Sequence, residues 1–246
     1  LVFFASAAIA IAAGYFGGHL SDHVGRRPLI LVAWACQAGL MLAFLAAGRR
    51  EALGLGLICL GGLFFQLGSA ADQAMVADLV PPARHESAYA AVRVASNLGI
   101  AIGPPVGGAL LALGSWSALF AGGAVVSFLG FLLALRFLPR RGAYAPAEPP
   151  TRHSFGVIVR DRPFLLFMVS AAFAWIVYVS FEVVLPISLV QGHGFAPSTW
   201  GFIVVVNPVI VTFFQLRLTE RLRPVPAALK LAVGLPLMGL PFLFLS

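Results

Sequence analysis

Charged side chains are scarce in this sequence. They account for 10% of the 246 residues, whereas an ordinary soluble domain has about 25%. Hydrophobic residues make up 60% of the chain, so too few polar groups are present to cover a protein surface in water. A lipid bilayer accepts such a surface, and a helix satisfies its own backbone hydrogen bonds there. We therefore predict an all-α, polytopic protein with several membrane-spanning helices.

Cysteine and the common catalytic motifs are also nearly absent. The two cysteines, Cys36 and Cys59, lie inside apolar runs and have no Cys or His at a metal-ligand spacing, so we interpret them as packing residues. The sequence contains no His-Glu-x-x-His pair, no intramembrane Gly-x-Gly-Asp and no nucleophile elbow. We therefore expect neither an enzyme, nor a metal site, nor a cofactor.

Basic residues outnumber acidic ones, sixteen to nine. In a soluble protein this excess would suggest a nucleic-acid partner, but in a membrane protein it more often marks cytoplasmic loops, so no nucleic-acid partner is expected.

A span needs about 20 mainly apolar residues, and breaks at charged, glycine and proline clusters leave eight such segments. The predicted spans lie near residues 1–17, 29–47, 53–78, 86–112, 116–138, 163–189, 198–216 and 228–246.

The basic residues also predict the orientation of the chain. When the connections are assigned alternately to the two sides of the membrane, thirteen basic residues fall on one side and two on the other. By the positive-inside rule, residues 18–28 and 139–162 are therefore cytoplasmic. The proline-rich connection at 139–162 is predicted to link a bundle of five spans at 1–138 to three spans at 163–246. Its end, "SFGVIVRD", is either a short interfacial helix or coil.

An island of charge interrupts the apolar sequence at "GGHLSDHVGRRPLI", residues 17–30. Gly18 lets a helix end approach a neighbour closely, and Gly25 permits a tight reversal. Pro28 suits the first turn of the following helix. Asp22 can cap a helix or pair with an arginine, and the paired arginines fit the anionic cytoplasmic leaflet. An ordinary charged turn would explain the arginines but not the whole pattern.

The pattern as a whole resembles the signature loop between the second and third helices of the major facilitator superfamily. Its matching positions are Gly18, Leu20, Asp22, Gly25, Arg26 and Arg27. The resemblance implies two six-helix bundles, truncated at both ends here, of which this chain would contain helices two to nine. It also implies a monomeric transporter of a small-molecule substrate and protons, embedded in the lipid bilayer of the inner or plasma membrane.

We predict that the signature loop acts as a conformational latch. The resemblance places Asp78, at the cytoplasmic end of its span, beside Arg26, and it places Asp22 at a helix end of the other bundle. Such contacts form when the transporter faces outward and break when it opens inward, so they bias a two-state equilibrium. A structural role in anchoring the loop is the alternative.

The family is built from two related halves, and the sequence retains a trace of that repeat. The trace lies in "LRLTERLRP", after the span that ends near residue 216. There Leu218, Thr219, Glu220 and Arg221 echo Leu20, Ser21, Asp22 and His23. The glycine of the first loop is not repeated.

A second match lies at "NLGIAIGPPVGGAL", residues 97–110. Glycines at i, i+4 and i+8 leave one helix face bare of side chains, and a proline predicts a bend. In an isolated helix such a stripe is a packing device, but this one resembles the fifth-helix motif of proton-coupled drug antiporters. The matching positions are Gly99, Gly103, Pro104, Gly107 and Gly108. We therefore predict efflux of hydrophobic or amphipathic compounds; the alternatives are symport of a sugar or other metabolite, and a channel or scaffold.

Three ionisable residues fall well inside the predicted spans, namely Asp72, Arg93 and Glu182. Charge at such a depth is costly, which makes a functional role the first hypothesis. Asp72 and Arg93 lie at similar depths on adjacent spans, so they form either a structural ion pair or a functional one. Glu182 has no obvious partner. We rank it first as the proton carrier and Asp72 second, with a lipid-facing or packing position of Glu182 as the alternative.

Overall fold

In the computed structural model, the described residues are 2–48, 50–112, 116–140, 160–195 and 197–240. These residues form α-helices, with short 3₁₀ and π-helical turns at Pro82–Arg84 and Ser188–Gly192, and they contain no strand. The helices are α1 Val2–Val24, α2 Arg26–Ala47, α3 Glu51–Leu79, α4 His85–Ala112, α5 Trp116–Phe137, α6 Arg162–Ile187, α7 Pro197–Leu222 and α8 Ala227–Gly239. The all-α prediction is confirmed.

Five helical segments in this part of the chain are long and apolar enough to cross a membrane. They are Arg26–Ala47, Glu51–Leu79, Pro82–Leu111, Trp116–Phe137 and Arg162–Gly192. These segments correspond to five of the predicted spans. The spans predicted over α1, α7 and α8 stay predictions, and the last of them, at 228–246, extends beyond the described residues.

The boundary between the first two helices differs from the prediction. The charge island predicts a connection over residues 18–28, but α1 continues to Val24 and α2 begins at Arg26. The reason is that charged residues end the apolar part of a span without ending the helix, because helical hydrogen bonds join backbone groups whatever the side chains are. Gly25 alone connects the two helices.

The described residues of Leu1–Ala88 and Ile102–Pro149 form one compact unit. In this unit, α3 packs against both α1 and α2, and α2 also packs against α5. Buried apolar side chains from α2, α3 and α5 form its core, because α2 lies between the other two helices. That core contains Leu29, Ile30, Ala71, Met75 and Ala134.

Two glycines allow helices of this unit to approach closely. A Cβ atom added to Gly68 of α3 would lie 2.8 Å from the Ala33 Cβ of α2, and one added to Gly17 of α1 would lie 3.3 Å from the Leu67 Cα of α3. Helices in lipid associate through such small residues, because lipid tails are as apolar as the helices. The sequence predicted the close approach at Gly18, but it occurs one residue earlier, at Gly17. No described atom outside the local helix backbone lies within 4 Å of a Cβ atom added to Gly18.

The described residues of Tyr89–Ala101 and Pro150–Ser246 form a second compact unit. In it, α6 contacts α8. The helix α6 begins after Asp161, whose carboxylate accepts a hydrogen bond of 3.1 Å from the Phe164 amide and so caps the helix. The predicted linker and bundle boundaries stay predictions, because residues 141–159, with most of "SFGVIVRD", lie outside the described part.

Candidate functional site

The connection between α1 and α2 is a single glycine. Gly25 has φ 103° and ψ 152°, a backbone conformation that residues with a Cβ atom rarely adopt. Its amide donates a 3.0 Å hydrogen bond to the Ser21 carbonyl, which completes the last turn of α1. Pro28 follows in the first turn of α2, where its missing N–H leaves no hydrogen bond unmade. The turn therefore depends on glycine in the way that the sequence indicated.

Arg26 joins three helices at this turn. Its Nε donates a 3.0 Å hydrogen bond to Asp78 Oδ2 at the end of α3, and its Nη1 pairs with the Asp22 carboxylate on α1. The side chains of Arg26 and Asp78 are only 18% and 14% exposed, whereas that of Asp22 is 40% exposed. The contact between Arg26 and Asp78 that the sequence predicted is present. Its role in transport stays a prediction.

Ser21 is a member of this site that the sequence analysis did not identify. The residue is 1% exposed. Its hydroxyl accepts a hydrogen bond from Arg26 Nη1 and donates one of 2.8 Å to the Gly18 carbonyl. A buried hydroxyl needs such partners. The only signal in the sequence was its position one turn before the glycine, on the helix face that the arginine reaches.

Arg27 points to a different helix from Arg26. Its Nη2 donates a 2.8 Å hydrogen bond to the Leu135 carbonyl in the last turn of α5. The last carbonyls of a helix lack partners within the helix and carry partial negative charge, so a cation there is favourable. The sequence predicted only a contact of Arg27 with anionic lipid. The capping contact was not predicted, because Arg27 and Leu135 lie 108 positions apart in the sequence.

The glycine motif of α4 makes few contacts among the described residues. A Cβ atom added to Gly107 would lie 3.4 Å from the Leu119 Cδ1 of α5. For a Cβ atom added to any of the other three glycines, no described atom outside the local helix backbone lies within 4 Å; these are Gly99, Gly103 and Gly108. The helix α4 continues through Pro104. Close packing along the stripe is thus present at one position, and the antiporter interpretation of the motif stays a prediction.

The three ionisable residues of the spans lie on three different helices, α3, α4 and α6. Asp72 is exposed on α3 and forms no ion pair among the described residues of its own unit. Arg93 is exposed on α4, in the second unit, and its backbone carbonyl accepts a 2.8 Å hydrogen bond from the Asn97 side chain. Their pairing stays a prediction. Glu182 lies within α6, but its side chain is outside the described part.

The helices and the turn together define the class of protein. Long apolar helices, connected by a glycine turn whose arginine holds acids from two neighbouring helices, are the features of a polytopic membrane protein with the signature loop described above. A family model described as Major Facilitator Superfamily matches residues 1–246. The chain belongs to the major facilitator superfamily.

Relatives of this chain are bacterial membrane transporters. The chain is 25% identical to the uncharacterized MFS-type transporter YqjV of Bacillus subtilis (strain 168), over 87% of this chain and 53% of YqjV. It is 25% identical to a Na(+), Li(+), K(+)/H(+) antiporter of Planococcus maritimus, over 73% of this chain and 46% of the antiporter. It is 26% identical to the multidrug resistance protein MdtM of Escherichia coli O157:H7, over 93% of this chain and 57% of MdtM. The chain thus spans about half the length of these relatives.

Proposed function

We propose that the full-length protein is a secondary transporter that exports hydrophobic or amphipathic compounds in exchange for protons, by alternating access across the plasma membrane. Membership of the superfamily supports transport. One relative is named as an antiporter to H(+) and another as a multidrug resistance protein, which supports exchange and drug export respectively. The glycine and proline motif of α4 supports the same direction of transport.

The observation that carries the proposal is the ion-pair network of Asp22, Arg26 and Asp78, which we call the latch. The Arg26–Asp78 pair is mostly buried, so it is screened less by water and salt than an exposed pair. The Asp22 carboxylate is more exposed, and an exposed ion pair contributes little stability. Breaking the contact of Arg26 with Asp22 therefore costs less free energy than breaking its contact with Asp78.

This difference between the two acids suits a two-state device. In the proposed cycle, Arg26 and Asp78 hold α2 against α3 throughout, while Asp22 exchanges its contacts as the cytoplasmic side opens and closes. A contact that exists in only one of two states shifts the equilibrium between them. The latch would thus control access without binding the substrate.

The proton carrier is proposed among the acids of the spans. Glu182 stays first and Asp72 second, because an ionisable group in a membrane span is costly and is retained mainly where it functions. Asp72 meets the further requirement that, within its unit, no described basic side chain neutralises it. Substrate selection would depend on the apolar and aromatic residues that dominate the helices.

Everted membrane vesicles from cells that express the full-length protein test the direction and coupling of transport. The vesicle interior is first acidified, and a fluorescent lipophilic cation is then added outside. Exchange predicts accumulation of the cation together with a rise in internal pH. A symporter would lower the internal pH under the same conditions, and a channel would give no substrate-coupled pH change. Either of these results would refute the proposal, and vesicles from cells without the protein provide the background.

Exchange of inorganic cations for protons is a second candidate function. The relative from Planococcus maritimus is named for this activity. The same vesicles test it when Na⁺, K⁺ or Li⁺ replaces the lipophilic cation. A rise in internal pH with these ions, and none with the lipophilic cation, would reassign the substrate to an inorganic cation and keep the proton exchange.

A further inference from the structure

Two histidines lie next to the latch and have no role in it. His19 and His23 are one turn apart on α1, and both are exposed. Their ring centroids lie 4.4 Å apart, with an angle of 57° between the ring planes. Residues at i and i+4 share one face of a helix, so the two imidazoles point in the same direction into the same space.

This arrangement supplies two donors of a transition-metal site. Two histidines at i and i+4 on a helix bind zinc in the His-Glu-x-x-His motif. Imidazole nitrogens suit Zn²⁺, Ni²⁺ and Cu²⁺, with zinc–nitrogen distances of about 2.0–2.1 Å. Two nitrogens that bind the same ion must therefore come within about 4 Å of each other. The ring centroids are 4.4 Å apart, so rotation of the two side chains can direct one nitrogen of each ring toward the same ion.

Asp22 lies between the two histidines in the sequence and carries a third metal-binding group, its carboxylate. It follows His19 by three positions and precedes His23 by one, so the three side chains project from an arc of about 100° on the helix. In metal sites of helical bundles, a carboxylate three positions before a histidine is a ligand, and here the two residue types occur at the same spacing in the opposite order. In the structure, however, the Asp22 carboxylate pairs with Arg26. In agreement with this pairing, no group of three metal-binding side chains is present among the described residues.

We propose that His19 and His23 bind a divalent transition-metal ion, and that Asp22 completes the site when it leaves Arg26. The second part of this proposal rests on the latch of the proposed function. An ion that binds the open latch more tightly than the closed latch stabilises the open state by that difference in affinity. The metal ion and Arg26 therefore compete for one carboxylate, and bound metal inhibits transport by holding the latch open.

Binding of Ni²⁺ to the purified full-length protein tests the two-histidine site. The protein carries an affinity tag without histidine, and the titration is followed by calorimetry. We expect one bound ion, and we expect His19→Gln and His23→Gln each to weaken binding by about tenfold or more, since even loss of an outer-shell partner has an effect of that size. The exposed residue His193 provides the matched control, and His193→Gln should bind as the unmodified protein does. Unchanged binding in both His19→Gln and His23→Gln would overturn the proposal.

Variants of the latch test the third ligand. Arg26→Gln releases Asp22 and should tighten Ni²⁺ binding by about fivefold or more, in the range of ordinary coupling between sites. Arg26→Lys keeps the charge and provides a second variant if the glutamine variant does not fold. Asp22→Asn removes the donor and should weaken binding. If Asp22→Asn binds Ni²⁺ as tightly as the unmodified protein, Asp22 is not a ligand and the competition is refuted.

These titrations separate the metal site from the proposed transport activity. Metal binding is measured without substrate or a proton gradient, so a protein that binds Ni²⁺ at the histidines but shows no proton exchange in vesicles would refute the proposed function alone. A protein that exchanges protons but binds no Ni²⁺ would refute the metal site alone. Inhibition of transport by Ni²⁺ that disappears in His19→Gln supports both.

Discussion

The sequence echo predicts that the turn between α1 and α2 and the turn between α7 and α8 occupy corresponding places in the two halves of the superfamily repeat. Both follow a helix whose last turns carry an acid, Asp22 in the first half and Glu220 in the second. The first turn consists of Gly25 alone, whereas residues 223–226 connect α7 to α8. An arginine, Arg223, stands where the glycine would be, so the positive φ that permits a one-residue turn is not available at low cost.

The ion pairs of the two turns differ in the same sense. In the first turn, Arg26 and Asp78 are mostly buried and 3.0 Å apart, and the two residues join α2 to α3 although they lie 52 positions apart in the sequence. In the second turn, Glu220 and Arg223 are 3.9 Å apart, more than half exposed, and three positions apart. Exposed pairs of this kind contribute about 0–1 kcal/mol. The glycine turn brings Arg26 back to Asp22 at the end of the preceding helix, while the packing of α2 on α3 brings it to Asp78, so the first turn has contacts between helices where the second has a local ion pair.

The largest expected effect concerns the acids of the spans, because a proton carrier is required for every coupled cycle. Glu182→Gln should abolish proton-driven efflux and preserve energy-independent exchange of substrate, since glutamine resembles the protonated acid. Asp72→Asn in the first unit should have a smaller effect. Both variants are assayed in everted vesicles, with and without a proton gradient.

The comparison of the two variants also tests which half of the predicted repeat contains the proton carrier. If Glu182→Gln pumps normally while Asp72→Asn does not, the carrier lies in the half that contains the latch. If both variants pump normally, neither acid is the carrier, and coupling depends on other residues.

The next prediction compares the two turns directly. Asp22→Asn should lower the transport rate by about fivefold or more, the ordinary range for a coupling contact, while expression and substrate binding change little. Glu220→Gln is the matched control in the second half and should transport at close to the normal rate. The measurement is the initial rate of efflux at equal protein levels. Equal rates in the two variants would show that the first turn has no special role in the cycle.

Local patterns in the sequence predicted the turn well. The positions of Gly25, Pro28 and the arginines follow from backbone geometry within a few residues, and the resemblance to the family added the contact of Arg26 with Asp78. Helix ends were less well predicted, because charged residues were interpreted as connections although they continue α1 and α2. A pattern of side-chain polarity reports where the apolar layer ends and not where the helix ends.

Contacts between distant positions were the part of the site that the sequence did not reveal. The hydrogen bond from Arg27 to the Leu135 carbonyl depends on how α2 and α5 pack. Because every residue has a backbone carbonyl, the sequence does not indicate which one accepts the hydrogen bond. Ser21 was missed for a related reason, since a serine is common on helices and only its burial shows that it has a role. The close contact at Gly17 instead of Gly18 reflects the rotation of α1 about its axis, which an apolar sequence does not specify.

A smaller effect is expected on stability from the glycine of the first turn. Gly25→Ala places a Cβ atom on a backbone with φ 103°, and such conformations cost about 1–3 kcal/mol for other residues. Gly18→Ala is the matched control, because Gly18 lies within α1 and no described atom outside its own helix backbone occupies the place of its Cβ. Thermal unfolding in detergent should thus show a lower midpoint for Gly25→Ala and no decrease for Gly18→Ala. A similar decrease of the unfolding midpoint in both variants would show that the loss of stability comes from helix packing and not from the backbone conformation of the turn.

The smallest predicted effect concerns the second arginine of the motif. Arg27→Gln removes the cation from the end of α5 and should lower stability by about 0.3–1 kcal/mol, the usual contribution of a charge at a helix terminus. Arg136→Gln is the matched control, since Arg136 lies in the same last turn of α5 and is exposed, with its guanidinium 5.4 Å from the Phe137 ring centre. Both arginines are predicted to lie at the same membrane face, so a role of charge at the lipid surface predicts equal changes. Capping of α5 by Arg27 predicts a larger decrease in the unfolding midpoint for Arg27→Gln and partial recovery in Arg27→Lys, because lysine still donates a hydrogen bond to a carbonyl. If lysine and glutamine at position 27 are equally destabilising, the fork of the guanidinium, and not the charge, holds α2 to α5.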